Sequence, residues 1–261
     1  MGRLQGKRAV VLGASSAGNM GQHIARRFLA EGAAVLVSGR KADVLQAFVA
    51  ETSCAWAACD ITREADLTEL ATAAQAQLGG IDIAVNATGW GLLKPFLDNT
   101  HAELTAITAL QFVGPIQFFQ AMLRAMNDGG SLIQISSATA TIMLDDHAAY
   151  MGTKAGIDHV IRCIANQFGA QGIRANSISP GLTDTPMNAD AKQVPGLFDS
   201  FLPSYPLGRI GTSGDIAAAA VWLASDECFM TGTNLQVNGG LTLRRNPTAA
   251  EMQAAIMKAQ P

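Results

Sequence analysis

Ser137, Tyr150 and Lys154 are the side chains of this chain whose types and spacing could do chemistry together. They lie in the run SSATATIMLDDHAAYMGTK, residues 136–154. On a helix, Tyr150 and Lys154 share one face, being four positions apart. A free phenol has a pKa of about 10 and exchanges protons poorly at neutral pH. A lysine ammonium close by favours the phenolate and lowers that value by roughly 1–3 units. The phenol then comes within range of proton exchange with an alcohol or ketone. Ser137 lies thirteen positions earlier, after the apolar run Leu132, Ile133, Ile135 that reads as a strand. Its hydroxyl is placed to hold a substrate oxygen against Tyr150. A tyrosine and a lysine at this spacing are also an ordinary helix-surface pair, worth roughly 0.2–0.5 kcal/mol. A nucleotide-binding half upstream would turn the pattern into a site.

The elements needed for such a half are present. Arg8 to Gly13 (RAVVLG) is a short β-branched run ending in glycine and reads as a strand buried on both faces. GASSAGNMG, residues 13–21, follows and leads into QHIARRFLAEG, where Ile24, Phe28 and Leu29 recur at helical spacing before Gly32. Strand, glycine-rich turn and helix together let backbone amides approach a pyrophosphate at the helix N-terminus. A second strand is expected at Ala34–Ser38. About 20 residues past such a loop, an Asp or Glu bonds the ribose 2′-hydroxyl of NAD. Here that place holds Gly39, followed by Arg40 and Lys41. Two cations without a carboxylate suit the 2′-phosphate of NADP, with NAD as the second possibility. The same two residues also read as an ordinary solvated helix start. A third strand, Ala55–Ala58, runs into Asp60-Ile61-Thr62. Asp60 could accept from an adenine amino group while Ile61 packs on the ring, or Asp60 could cap the helix Arg63–Leu78. A fourth strand, Ile81–Val85, ends in Asn86-Ala87-Thr88-Gly89, small residues that let a cofactor ribose lie close. Ile173–Ser179 and Asn234–Val237 read as the last strands. Strands alternating with helices imply right-handed crossovers and a parallel sheet covered on both faces. Ligands of such sheets bind outside the carboxyl ends of the strands.

The totals agree with one large α/β domain or two small ones: 261 residues, about half of them hydrophobic, with net charge −3 and no basic block that would suggest nucleic acid. The cysteines Cys54, Cys59, Cys163 and Cys228 and the histidines His23, His101, His147 and His159 show no metal-ligand spacing. The cysteines suit a reduced, cytoplasmic protein. The early apolar run Ala9–Leu12 is too short for a signal peptide. Leu104–Leu123 carries no charge over twenty residues, yet holds Gln111, Gln117, Gln120, Gly114 and Pro115. It reads as a helix buried in protein, at a subunit interface, rather than in a membrane.

The motifs GASSAGNMG, CDIT, NATG, ISS, YMGTK and IRANSISPGLTDTPM, in this order and spacing, resemble the short-chain dehydrogenase/reductase family from Leu4 to Gly240. The resemblance implies a single-domain Rossmann-type doubly wound sheet of seven mostly parallel strands, order 3-2-1-4-5-6-7, with helices on both faces. Tyr150 would be the catalytic acid/base. Lys154 would bond the nicotinamide ribose and depress the tyrosine pKa, and Ser137, rather than Ser136, would orient the substrate. Gly13, Ser15, Ser16 and Met20 would line the phosphate and ribose site. Asp60 and Ile61 would flank adenine, and Asn86, with Ala87, would sit at its ribose. Pro180, Gly181, Thr183 and Thr185 fall where the family holds the nicotinamide amide and pyrophosphate. The chain departs from the pattern in three places. Its glycine-rich loop is about two residues longer, NATG replaces NNAG, and Gln111 stands where the family has a catalytic asparagine. Gln111 either holds the water of a proton relay or satisfies a buried carbonyl. The family's oligomers imply a tetramer or dimer.

Substrate and tail are read from residues alone. Leu182 to Gly211 is an apolar segment among loop breakers, with Met187 near its start, and could close over the nicotinamide as a lid. Trp90 and Leu144 would line the opposite side, although several of these residues also read as plain core. The expected substrate is an uncharged, fairly apolar ketone or secondary alcohol. Domain bounds of 1–245 follow, with a lid at about 182–211 and a helical extension at 246–261. In that extension Thr248 and Glu251 form a capping-box pattern before Met252 and Ile256. The extension either borders the lid or an adjacent subunit's site, or is a frayed end. The leading reading is an NADP(H)-dependent oxidoreductase. Its rivals are a non-catalytic dinucleotide-binding or scaffold protein, an NAD-dependent alcohol dehydrogenase of the same fold, and an enoyl-type reductase. The enoyl-type branch spaces its tyrosine and lysine more widely.

Overall fold

β1 (Arg8–Leu12) shows why the sheet lies at the centre. Ala9 and Val11 point into one hydrophobic cluster and Val10 and Leu12 into another, and all four are buried. A strand that is apolar on both faces needs a layer of helices on each side. The structure, a computed structural model, describes residues 2–260. It supplies those layers with α1 (Met20–Ala30), β2 (Ala34–Gly39), α2 (Ala42–Thr52), β3 (Ala55–Ala58), α3 (Glu64–Leu78) and β4 (Ile83–Asn86). α4 (His101–Ala125), β5 (Gly130–Ile135), α5 (Ala148–Phe168) and β6 (Ile173–Pro180) follow. α6 (Ser213–Ala224), β7 (Asn234–Val237) and α7 (Ala249–Ala259) complete the chain. The seven strands pair in the order β3-β2-β1-β4-β5-β6-β7, every pair parallel. This is a single-domain Rossmann-type fold. Buried residues of α1, α2 and α6 fill one face, with Phe28 at its centre. Those of α3, α4 and α5 fill the other, around Phe118 and Phe119. Each such side chain contributes roughly 1.5–3 kcal/mol by leaving water.

Local chemistry fixes where the elements start. Asn19 caps α1, its side chain accepting from Gln22 N–H. Capping boxes at Thr100/Glu103, Thr212/Asp215 and Thr248/Glu251 open α4, α6 and α7. Asp60 does not cap α3, because that helix begins after Arg63 with no side-chain cap. Its carboxylate instead accepts from Thr62 N–H (3.0 Å) and Thr62 Oγ1 (2.8 Å), a local turn that competes with capping.

α4 is long and apolar enough by composition to cross a membrane, and it packs in the layer against α3 with Phe118, Phe119 and Met122 buried. Its ladder is interrupted by a π-helical turn at Ala109–Val113, which aims Gln111 inward. The segment 182–211 folds as short turns, including a two-residue ladder of Thr183–Asp184 with Gly211–Thr212. Phe201 and Tyr205 from it form a third cluster with Ala138 and Leu241, against which Leu144 and Met252 pack.

Candidate active site

The carboxyl ends of β1 to β6 open on one edge of the sheet, into a cleft of about 450 Å³. At one end lies the glycine-rich turn. Gly13 sits at φ +103°, and a Cβ there would lie 2.6 Å from the Ala87 carbonyl carbon, so only glycine fits. The longer loop is held from within. Asn19 Nδ2 donates to Gly13 O at 2.8 Å and Gln22 Nε2 to Ala14 O at 3.0 Å, while Gln22 Oε1 accepts Gly18 N–H at 2.9 Å. This leaves Ser15, Ser16, Asn19 and Met20 on the cleft wall at the positive end of α1. The Asn-x-x-Gln spacing before a helix was the available signal for Asn19 and Gln22.

Gly39, Arg40 and Lys41 form the neighbouring rim, and Lys41 is also the N-cap residue of α2. A Cβ on Gly39 would lie 2.5 Å from Ser15 Oγ, so the place of an NAD-type carboxylate is filled by the loop itself. Ile61 lines the cleft beside Cys59. Asp60 stands just outside. Burial pushes its carboxyl up, but the Thr62 bonds and the charges of Arg40 and Arg63 hold it below its ordinary value. Ala87 lines the cleft, whereas Asn86 is fully buried beneath it. Asn86 donates to Gln134 Oε1 at 2.9 Å and accepts Thr88 N–H at 3.1 Å and Thr88 Oγ1 at 2.8 Å, so its amide braces β4 to β5.

At the other end, Ser137, Tyr150 and Lys154 line one stretch of wall, with Pro180, Gly181, Thr183 and Thr185 facing from the β6 side. Gly181 is required by the fold, because a Cβ there would meet Tyr205 Oη at 2.4 Å. Lys154 Nζ donates to Ile135 O at 2.9 Å and lies 5.5 Å from the centre of the Tyr150 ring. Burial lowers the Lys154 ammonium to about 8, opposed by the charge of Asp158 one turn on. Asp158 itself accepts from Ser136 Oγ at 2.8 Å and from Asn234, tying α5 to the ends of β5 and β7.

The expectation of an unusually acidic phenol is not met by the chain's own groups. Burial raises the Tyr150 phenol above its ordinary value, and Ser137 pulls it only partly back. Desolvation penalises the phenolate, and the ammonium meant to offset it is engaged by a carbonyl. Within the chain, the Ser137 hydroxyl pairs with Thr139 Oγ1 at 2.8 Å and accepts Thr139 N–H at 3.2 Å.

Gln111 does not reach the cleft lining. Its Oε1 accepts Trp90 N–H at 2.7 Å and its Nε2 donates to Thr153 Oγ1 at 3.0 Å. Of its two expected roles, the structure gives it one close to the second, serving a backbone N–H and a hydroxyl rather than a carbonyl. Trp90 and Met187 line the cleft and are exposed, but Leu144 does not, because it packs into the Phe201–Tyr205 cluster. One neighbour of Tyr150 went unread in the sequence. The His147 ring stacks on it, centroids 4.2 Å apart and planes 25° from parallel. The signal was the i, i+3 spacing.

A family model described as "Enoyl-(Acyl carrier protein) reductase" matches residues 13–242. D-threitol dehydrogenase of Mycolicibacterium smegmatis is 33% identical over 250 residues, covering 93% of this chain and 95% of the other. 7alpha-hydroxysteroid dehydrogenase of Escherichia coli is 35% identical over 248 residues, covering 91% and 95%. Among solved structures, a short-chain type dehydrogenase/reductase from Mycobacterium ulcerans superposes with a TM-score of 0.91 at 29% identity, covering 97% of this chain and 98% of that one.

Proposed function

The chain belongs to the short-chain dehydrogenase/reductase family, and on that premise we propose that it is an NADP(H)-dependent oxidoreductase interconverting an apolar ketone and its secondary alcohol. The observation that carries the reading is that Ser137, Tyr150 and Lys154 line the same cleft as the glycine-rich turn and the Arg40–Lys41 rim. The donor set fits a nicotinamide dinucleotide. Loop amides and the positive end of α1 suit its pyrophosphate, and Arg40 and Lys41 suit a 2′-phosphate. Lys154 would hold the nicotinamide ribose, and Thr183 and Thr185 the amide. When bound, the cofactor supplies or accepts the hydride.

The chain's own residues handle the oxygen and its proton. Ser137 donates to the substrate oxygen and fixes it against Tyr150. Tyr150, kept protonated by burial, gives its proton to that oxygen in reduction and takes it back in oxidation. Its raised pKa favours the donor form at neutral pH. Lys154 holds positive charge beside the phenol as the proton leaves. Trp90 and Met187 make the substrate end apolar, which favours an uncharged substrate and excludes water. Relatives are named for polyols and for steroids, so substrate size is not carried over from them. A homo-oligomer, tetramer or dimer, fits the exposed Leu104 and Val113 on α4.

A panel of ketones and secondary alcohols, run with NADPH/NADP and NADH/NAD, tests the proposal. NADP(H) is expected to give the larger kcat/KM, and Arg40→Ala is expected to lower it roughly 10- to 100-fold, since a fork–phosphate contact is worth roughly 1.5–3 kcal/mol, while leaving NAD(H) turnover in place. Equal effects on both cofactors would move the assignment to NAD.

A further inference from the structure

We propose that His147 is a positioning residue for Tyr150, fixing the plane of the phenol ring and coupling the segment Trp90–Lys94, of which Trp90 and Gly91 line the cleft wall, to the helix that carries it. The inference rests on Tyr150 being the proton donor, as read above.

The coupling is a closed circuit of contacts. The His147 ring lies 4.2 Å from that of Tyr150, and its Nδ1 lies 2.8 Å from Leu92 O. A carbonyl only accepts, so Nδ1 carries the hydrogen and the imidazole is assigned as the Nδ1–H tautomer. Burial favours its neutral form. Beside it, Asp146 takes the left-handed conformation, φ 59°, and its carbonyl accepts Lys94 N–H at 2.6 Å. The other end of the wall is held too. Trp90 N–H is bound by Gln111, Gln111 by Thr153 Oγ1, and Thr153 Oγ1 donates to Tyr150 O at 2.8 Å. From Tyr150 the path therefore runs through His147 to Leu92, along the wall to Trp90, and back through Gln111 and Thr153. The remaining groups on the phenol are Lys154 from the same helix and Ser137 from the end of β5. The stack shields one face of the phenol ring, and the Leu92 bond anchors the segment that carries Trp90 and Gly91 into the cleft wall.

The two functions separate by substitution. His147→Asn keeps a donor at the Nδ1 position for Leu92 but removes the ring. His147→Phe keeps a ring to stack but removes the donor. Both are made beside wild type and in a Tyr205→Phe background, which leaves Tyr150 as the one tyrosine, since the chain has two. The readouts are kcat, substrate KM, NADP(H) Kd and phenolate absorbance against pH. His147→Asn is expected to lower kcat about tenfold with KM within threefold, and to shift the phenol titration downward as water reaches the ring. His147→Phe is expected to raise KM several-fold, to lower kcat less, and to leave the titration in place. NADP(H) Kd should stay within twofold in both. Circular dichroism checks folding, and His147→Gln stands in as the ringless variant if His147→Asn does not fold. The inference is overturned if the ringless variant keeps kcat and titration within twofold of its parent, or if the two classes of variant are indistinguishable. Tyr150→Phe run alongside separates the two readings. If it turns over, the donor assignment fails. If it is inactive while the ringless variant is unimpaired, the His147 inference alone fails.

Discussion

Tyr150 and Lys154 are shifted by the same cause in opposite directions. Burial penalises whichever form is charged, so the phenol holds its proton more tightly and the ammonium more loosely, at about 8. The sign decides the pH profile. Lys154 is charged below its folded value and loses charge as pH rises through it, while Tyr150 is still protonated. Reduction by NADPH is therefore expected to be flat through neutrality and to fall with a midpoint near pH 8, and the fall belongs to Lys154. Initial rates at saturating NADPH from pH 6 to 11 check this. A midpoint at the phenol's ordinary value of about 10 or above would assign the fall to Tyr150 instead. Gly39 is tied to the glycine-rich loop. Its missing side chain looks like a simple loss of the NAD-type carboxylate, but Ser15 from the lengthened loop fills the space. Loop length and residue 39 are thus one feature, joined by a contact that local sequence does not display.

Among the elements, β1 and β4 carry the glycine-rich turn and the Ala87–Gly91 wall, and one ion pair sets their register. Asp82 accepts from Arg8 N–H (2.8 Å), Nε (2.8 Å) and Nη2 (2.7 Å). These bonds, the side-chain one first, hold its carboxyl below the ordinary value against burial. A depressed carboxyl stabilises the fold above its unfolded pKa, and that stabilisation is lost as pH falls through the folded value. Asp82→Asn is expected to cost about 1–3 kcal/mol in denaturant unfolding at pH 7. The difference from wild type should shrink below about pH 4, where the unfolded carboxylate protonates. At the far end of the chain, α7 and the residues before it join the Met143–Asp145 turn to the 182–211 segment. Asn246 Nδ2 donates to Met143 O at 2.9 Å, Ala249 N–H to Asp145 at 3.0 Å, and Met252 packs into the Phe201–Tyr205 cluster. A Cβ on Gly196 would lie 2.3 Å from Ala255 O, so the 182–211 segment fits closely beneath the helix. An isolated helix of this length is marginal, so its packing is what holds it. We propose that it braces the lid. Deleting residues 246–261 is expected to raise substrate KM several-fold and lower Tm, with NADP(H) Kd unchanged; an unchanged KM would reduce the helix to an appendage.

Taken whole, the molecule collects residues from six strand ends onto one sheet edge, and most of that was legible in the sequence. Ala55–Ala58 and Asn234–Val237 form as strands at the bounds expected of them, each a four-residue run closed soon after by turn residues, Asp60 in one case and Asn238-Gly239-Gly240 in the other. The pairing of Tyr150 with Lys154 was legible because helical spacing is a local property. What escaped is non-local. Leu144 looked like cleft lining and is claimed by Phe201 and Tyr205, more than fifty residues away in sequence. Asn86, expected at a cofactor ribose, bonds the Thr88 backbone at its own corner as an Asn there commonly does, while its amide goes to Gln134, 48 positions on. For Gln111 the sequence left a proton relay and a buried backbone partner equally open, and the π turn aims it at Trp90 N–H and Thr153. The central claim is that this shared edge makes Tyr150 the proton donor at a dinucleotide cleft, and Tyr150→Phe tests it most directly. Steady-state turnover with NADPH and an accepted ketone, paired with NADP(H) Kd for the same preparation, is expected to show turnover abolished and Kd within a few-fold of wild type. Substantial residual turnover in the folded variant would contradict the account.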